Sequence, residues 1–271
     1  MNRAETPAIT PPDGATRVYY IAGDPIAQVK SPAGVSQAFH ALGRNAYVMP
    51  AHVAPADLAG WVAGVSLAKN VDGIIITIPH KFAAFGLCAT TSERAAFLGA
   101  VNTLRRNADG TWHGDMFDGL GFVAAMQANG CDPTGKRALL VGAGGAGSAI
   151  AHALVMAGVR ELAVHDDDLA RRTTLMGRLA SLDQCPVQPG SPDPTGFDIV
   201  VNATPVGMKN TDVLPLRMDA ITSATLVGCV ITAPAITPLI SLARAKGCNT
   251  VTGGQMFTKV RDLMVDFLLK A

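Results

Sequence analysis

Three short segments hold the residue types best suited to chemistry. The first is Val141-Gly142-Ala143-Gly144-Gly145-Ala146-Gly147, which follows the apolar run 137–141 and precedes a helical stretch at 148–157. A G-x-G-x-x-G between a strand and a helix is a dinucleotide-binding turn. Gly142 permits the tight bend, Gly144 lets the backbone approach a pyrophosphate, and Gly147 lets the helix pack on the strand. The helix N-terminus then offers unpaired N–H groups to the phosphates. Asp166 falls roughly 20 residues past the last glycine, where a carboxylate that accepts from ribose hydroxyls belongs. The second segment is Thr77-Ile78-Pro79-His80-Lys81, in which a proline ends an apolar strand just before a lysine. An amine held at a strand's carboxyl end suits proton exchange with an alcohol or carbonyl oxygen. Lysine is also the commonest kind of solvated surface residue. The third is Asp118 at the start of a helix. It reads as an N-cap or as a carboxylate that contacts substrate and tunes the lysine, and one residue can do both.

These residues need a frame, and the hydropathy pattern supplies one. Strands are expected at 17–22, 46–50 and 72–76, the last a continuous β-branched run typical of a strand buried on both faces. Helices are expected at 33–42 and 55–68. Segments 101–105 and 111–114 read as a hairpin around Asn107-Ala108-Asp109-Gly110. A helix at 119–129 joins this half to the glycine turn. Further strands are expected at 161–164, 198–201, 225–230 and 250–252, with helices at 238–246 and 256–269. The Pro-, Gly-, Ser- and Asp-rich stretch 186–196 reads as loop. Alternating strands and helices in both halves argue for an α/β fold of two domains with parallel sheets. Each candidate polar residue then lies at a strand end or in the loop after it, the edge where open sheets bind ligands.

Composition narrows the function classes. The chain has 271 residues, 49% hydrophobic and 16% charged, with a formal net charge of +1. No basic stripe or acidic tail points to nucleic acid or to a membrane surface, and no apolar run is long enough to span a bilayer. Residues 1–16 read as a loose arm without the apolar region of a signal peptide. The five cysteines show no C-x-x-C spacing, as in a reduced, cytoplasmic protein without a zinc site. Asp166, Asp167 and Asp168 are consecutive, and consecutive residues in a strand-to-helix loop rarely converge on a cation, so no metal is expected.

Taken with Gly23-Asp24-Pro25-Ile26, Lys30-Ser31-Pro32, Gly99-Ala100-Val101-Asn102-Thr103-Leu104, Asp118-Gly119-Leu120-Gly121-Phe122, Asn202-Ala203-Thr204-Pro205-Val206-Gly207-Met208 and 253–257, these segments resemble the shikimate/quinate dehydrogenase family. The likeness runs from about Tyr20 to the C-terminus, with its motifs in order. It implies Lys81 and Asp118 as the catalytic pair and Ser31, Thr77 and Asn102 as further substrate contacts. It implies a small cyclic hydroxy acid as substrate and a monomer or homodimer. It assigns the cofactor to Gly142, Ala143, Gly144, Gly145, Ala146, Gly147, Asp166, Thr204 and Gly253. It also implies a substrate half at 17–117, a Rossmann-like dinucleotide half at 118–253, and a closing helix at 254–271 that returns to the first half.

The departures from that pattern concern substrate reading. Gln28 and Val29 stand where the family has His and a carboxylate-holding Ser. Ile75 replaces an Asn, Met116-Phe117 an Asn-Thr, and Gly228-Cys229-Val230-Ile231 the strand that carries a Tyr. Val260 takes the place of a Gln, which leaves Gln255, at least one turn earlier, as the candidate contact. A divergent member that is slow on shikimate or uses a related, less hydroxylated acid is expected, because sites built to hydrogen-bond hydroxyls discriminate strongly. At the adenosine end, NADP-using relatives have Asn-Arg-Thr where this chain has His165-Asp166-Asp167-Asp168. A carboxylate there repels a 2′-phosphate, so NAD is expected over NADP; Arg171 and Arg172 are the only cations close enough in sequence to argue otherwise. A methylenetetrahydrofolate-type dehydrogenase and a non-catalytic dinucleotide sensor are the competing readings, and the set Lys81, Asn102 and Asp118 argues against both.

Overall fold

The computed structural model describes residues 11–209 and 213–270. The first half runs β1 (Arg17–Gly23), α1 (Ser31–Ala41), β2 (Ala46–His52), a 3-10 turn (Pro55–Asp57) leading into α2 (Leu58–Ser66), β3 (Val71–Ile76), α3 (Lys81–Phe85), β4 (Thr90–Thr91), α4 (Glu93–Leu98), β5 (Thr103–Arg106) and β6 (Trp112–Asp115). α5 (Asp118–Ala128) follows. The second half runs β7 (Arg137–Val141), α6 (Gly145–Met156), β8 (Glu161–His165), α7 (Leu169–Ala180), β9 (Val187–Pro189), β10 (Ile199–Asn202), β11 (Leu226–Cys229), α8 (Pro238–Ala245), β12 (Asn249–Val251) and α9 (Gly253–Leu268).

The strands form two sheets of six, ordered β2-β1-β3-β5-β6-β4 and β12-β11-β10-β7-β8-β9. Every pairing in the second sheet is parallel. Counted from β7, its order is the 3-2-1-4-5-6 of dinucleotide-binding sheets. The direction of winding reverses between β7 and β10, which opens a crevice beyond their carboxyl ends, beside the glycine turn. Two expectations are corrected here. The first sheet is mixed, because β5 runs antiparallel to both β3 and β6; the short link between β5 and β6 is a hairpin, which joins only antiparallel strands. Residues 187–189, expected to be loop, form β9 beside β8. An edge strand tolerates the proline that made this stretch read as irregular.

Both faces of each sheet are covered. On β3, Ile74 and Ile76 enter a cluster with Leu58, Val62 and Leu104, while Ile75 points into the opposite cluster. That opposite cluster runs through both halves. It joins Tyr19, Val35 and Phe39 to Phe122, Leu140, Ile150 and Val260. A third cluster, with Leu139, Val141, Leu239 and Ile240, covers the far face of the second sheet.

α5 and α9 hold the halves together. A Cβ on Gly119 would lie 2.0 Å from the Ala149 carbonyl oxygen of α6, and one on Gly121 would lie 2.3 Å from Val260 Cγ2 of α9. As expected, the closing helix returns to the first half: Phe257 packs on Gly34 of α1, and the Arg105 guanidinium of β5 sits 5.0 Å above the Phe267 ring. At the amino end, residues 1–10 of the expected arm lie outside the described residues. Residues 13–16 are anchored, with Thr16 buried and its hydroxyl donating to Asn45 Oδ1 at 2.8 Å.

Candidate active site

β3 ends at Ile76, and the turn Thr77–His80 delivers Lys81 as the first residue of α3. His80 anchors this turn from beneath. It is buried, and its Nε2 lies 2.8 Å from the Val53 carbonyl oxygen. Asp118 opens α5, and its carboxylate forms an ion pair with Lys81 Nζ in which the two side chains are only 15% and 9% exposed. Its other oxygen, Oδ1, accepts from Asn102 Nδ2 at 2.8 Å. The Asn102 amide is itself fixed, because its Oδ1 accepts from the Phe117 N–H at 3.1 Å and the Thr103 hydroxyl at 3.0 Å. Backbone bonds fasten the three segments together: Val101 N–H to the Lys81 carbonyl at 3.0 Å, and Asn102 N–H to the Asp115 carbonyl at 2.9 Å.

The capping expectation for Asp118 is corrected. Phe117 occupies the N-cap of α5 and no side chain caps that end. Lys81 and Asn102 use the carboxylate instead, while its charge in the first turn still complements the helix dipole. Beneath it lies a network that sequence reasoning missed. Asp115 pairs with Arg94 and accepts from the Ser92 hydroxyl, and Arg94 Nε donates to the Met116 carbonyl at 3.0 Å. In the sequence these are ordinary charges; only the pairing of β6 with α4 shows that they brace the approach to Asp118.

Ser31 is buried at the start of α1, on the connection leaving β1, and Thr77 is half-buried where β3 ends. Among the described residues neither hydroxyl has a partner, so both are available to a ligand at this sheet edge. The substituted positions have a different fate. Ile75, Met116, Phe117 and Val260 are all at most 5% exposed. Phe117 packs edge-on against Phe267 with ring centroids 5.3 Å apart and lies under the Arg94 guanidinium. Apolar side chains at these places have joined the core. Val29 remains half-buried at its margin.

The glycine turn bends as expected. Gly142 has φ +106°, and a Cβ on Gly147 would lie 1.9 Å from the Gly142 carbonyl oxygen. A Cβ on Gly144 would meet nothing within 4 Å, so open space faces the backbone there. No side chain caps α6, which leaves the first-turn N–H groups of Gly145 and Ala146 for an anion. These features fit a dinucleotide pyrophosphate. The turn also touches the lysine: a Cβ on Gly145 would lie 3.0 Å from Lys81 Cδ. The structure thus brings Lys81, Asn102, Asp118 and the glycine turn to one place.

Asp166 follows β8. Its Oδ2 accepts from the Ala143 N–H at 2.6 Å, and its Oδ1 from the Asp168 N–H at 2.8 Å. Each oxygen keeps a lone pair for a ribose hydroxyl. Asp168 caps α7 by accepting from the Arg171 N–H at 3.0 Å. The Arg171 guanidinium lies 3.7 Å from Asp166 and 3.4 Å from Asp168, so two carboxylates share it.

Two other expected contacts are spent elsewhere. Gln255 Oε1 accepts from the Thr252 N–H at 2.9 Å in a capping box, and its Nε2 donates to Asn129 Oδ1 at 2.9 Å. Asn129 ends α5, about 16 Å from Asp118 at 1.5 Å per residue, so Gln255 is not brought to the substrate site. The Thr204 hydroxyl donates to Asn202 Oδ1 at 2.7 Å and accepts from the Val206 N–H at 3.1 Å. Its methyl abuts Gly142, so it shapes the wall of the turn. Gly253 is needed for packing, since a Cβ there would lie 2.2 Å from the Ile231 carbonyl oxygen.

Known proteins share this fold. The family model for the shikimate dehydrogenase substrate binding domain matches residues 21–104. A curated shikimate dehydrogenase (NADP(+)) from Rubrobacter xylanophilus is 34% identical over 249 residues, covering 90% of this chain and 87% of the relative. The ligand-free 5-ketofructose reductase of Gluconobacter sp. strain CHM43 superposes with a TM-score of 0.82 at 29% identity, covering 94% of this chain and 93% of that one. Shikimate 5-dehydrogenase from Listeria monocytogenes, solved with shikimate and NAD, gives 0.81 at 28% identity, covering 94% and 96%. The chain therefore belongs to the shikimate/quinate dehydrogenase family and is an oxidoreductase dependent on a nicotinamide dinucleotide.

Proposed function

We propose that this enzyme interconverts shikimate, or a closely related cyclic hydroxy acid such as quinate, with its 3-dehydro ketone, using Lys81 as the proton-transfer group. The observation that carries this reading is the buried set Lys81, Asp118 and Asn102 lying against the glycine turn. When bound, the dinucleotide accepts hydride from the carbinol carbon or returns it to the ketone. As a ketone is reduced, the Lys81 ammonium gives a proton to the forming alkoxide oxygen; in oxidation the neutral amine takes the hydroxyl proton. Asp118 aims the amine through one oxygen, and Asn102 holds the other so that the carboxylate cannot swing away. Ser31 and Thr77 offer free hydroxyls to the substrate's polar groups. In this reading residues 17–117 receive the substrate, 118–253 hold the dinucleotide, and 254–271 fasten the halves.

NAD is the favoured cofactor. Asp166 is anchored to the turn with a lone pair free on each oxygen, and the nearest guanidinium is already shared by two carboxylates. The NADP(+) in the names of curated relatives belongs to those chains; His165-Asp166-Asp167-Asp168 stands here where NADP users carry an arginine.

A second reading, a different hydroxylated carbonyl compound as physiological substrate, is favoured by Val29 and by the apolar residues at 75, 117 and 260. The likeness to a 5-ketofructose reductase accords with a family site that accepts varied carbonyl compounds. A panel of cyclic hydroxy acids and sugar ketones, assayed with NAD and NADP at the nicotinamide absorbance, tests both readings. Turnover of a cyclic hydroxy acid is expected. Lys81→Met, which keeps the stem against Gly145, should lower kcat by about a hundredfold or more, since a positioned proton-transfer group contributes about 10²–10⁴. Dinucleotide binding without turnover of any compound would leave a sensor as the surviving reading.

A further inference from the structure

A cavity of about 430 Å³ opens on the first half at the end of its sheet opposite the Lys81 site, between the start of β1, the turn before β2 and the end of α9. Its lining is unusual for this molecule. Among the described residues, Arg17, Arg44, Arg105, Arg106 and Lys270 line it against a single carboxylate, Asp72, so five cations and one anion leave +4. The whole chain carries only +1.

The cations are not equally committed. Arg17 is held by Asp72 and the Lys69 carbonyl, and Arg106 donates to the carbonyls of Ser66, Ala68 and Val71. Arg105 stacks on Phe267 and makes one long bond, 3.5 Å, to the Phe267 carbonyl, leaving most of its five donors unused. The Arg44 and Lys270 side chains have no hydrogen-bond partner among the described residues. Tyr19 lines the same cavity. It is 3% exposed, and its hydroxyl has no hydrogen bond among the described residues. Burial, reinforced by Asp72, pushes the Tyr19 phenol up to about 12, so it stays a donor. Its hydroxyl opens onto the cavity, where it is free to donate to a ligand.

We propose that this cavity is a binding site for a small, multiply charged anion, either a phosphorylated compound or a di- or tricarboxylate. Arg105 and Tyr19 would contact the anion at the base, and Arg44 and Lys270 would close over it at the rim. A planar guanidinium fork suits carboxylate and phosphate alike, and the rim cations draw the anion in from solution. The site is separate from the glycine turn, which takes its phosphates on backbone N–H groups in the other half.

Calorimetric titration of the full chain at low salt, with NAD saturating the turn, tests this with pyrophosphate and with citrate as probes. Binding of at least one probe is expected, weakening steeply as salt is raised. Binding of pyrophosphate alone identifies phosphate as the group read, and binding of citrate alone identifies carboxylate. Arg44→Glu, an exposed change that disturbs no described contact, should weaken binding at least tenfold, and Tyr19→Phe severalfold, with thermal stability as the folding control. Failure of both probes to bind, or binding unaltered by Arg44→Glu, would overturn the proposal.

Discussion

Asp118 divides its carboxylate between two partners, and this division makes Lys81 directional. An ammonium paired only with solvent samples many rotamers; one held opposite a carboxylate that Asn102 prevents from turning does not. Asp166 has a comparable double part in the proposed reading: it holds the Ala143 N–H and would present charge to the ribose. Asp166→Asn removes the charge and leaves one acceptor, so the amide oxygen can still hold Ala143 while the Asp168 N–H loses its partner. We expect the variant to lose NAD affinity and to gain NADP relative to NAD. KM values for both cofactors check this, and a native protein that already prefers NADP would refute it. Val29→Ser restores a hydroxyl where the family holds the substrate carboxylate. A hydrogen bond to a charged group is worth about 1.5–3 kcal/mol, so kcat/KM for shikimate should rise about tenfold or more, mostly through KM. Unchanged kinetics would mean that another group already holds the carboxylate. At this scale the sequence pointed to Lys81, Asn102 and Asp118, which the fold brings into one hydrogen-bonded set. It misled at Gln255, whose amide both caps α9 and bonds Asn129, a long-range pairing that no local pattern encodes.

α5 is the element on which the site depends. Its two inner glycines let α6 and α9 approach to backbone contact while Asp118 sits at its amino end. Gly121→Ala would set a methyl 2.3 Å from Val260 Cγ2 and 2.8 Å from the Val260 nitrogen. A side chain can move aside, but helix backbone cannot without carrying α9 with it. Overpacking of this kind costs about 1–3 kcal/mol, more than the helix-propensity gain of up to ~1 kcal/mol, so Tm should fall by several degrees. Gly177→Ala is the contrasting case. It lies mid-helix in α7 with nothing within 4 Å of the added carbon, so propensity acts alone and stability should hold or rise slightly. Thermal melts of the pair decide the matter; equal effects would mean that the α5 contact is not tight. Among elements, long periodic helices and β-branched strands were legible. α3, α4 and β4 were not, because segments of five, six and two residues are too short to show a period. Lys81 consequently read as a loop residue when it begins a helix.

For the whole molecule, the cluster that crosses from Phe39 to Leu140 and Val260 means that each half completes one of its cores with side chains from the other. We therefore expect one cooperative unfolding transition, with calorimetric and van't Hoff enthalpies in agreement; two resolved transitions would show the halves to be independent. Strand–helix alternation announced two sheets, but it could not say that one apolar cluster serves both. Hydropathy marks a face as buried without naming what buries it. The contact of α5 with its neighbours also bears on how such a chain can change over generations. Asp118, Gly119 and Gly121 share about one turn of helix, and each is pinned by backbone or by a buried charge. Exposed Ile78, Phe82 and Leu120 sit beside Thr77, Lys81 and Gly119 and are pinned by nothing comparable. Mutation can explore the second set cheaply and the first hardly at all, so a lineage built on this frame can vary the surface beside Lys81 while Asp118 and its helix contacts persist.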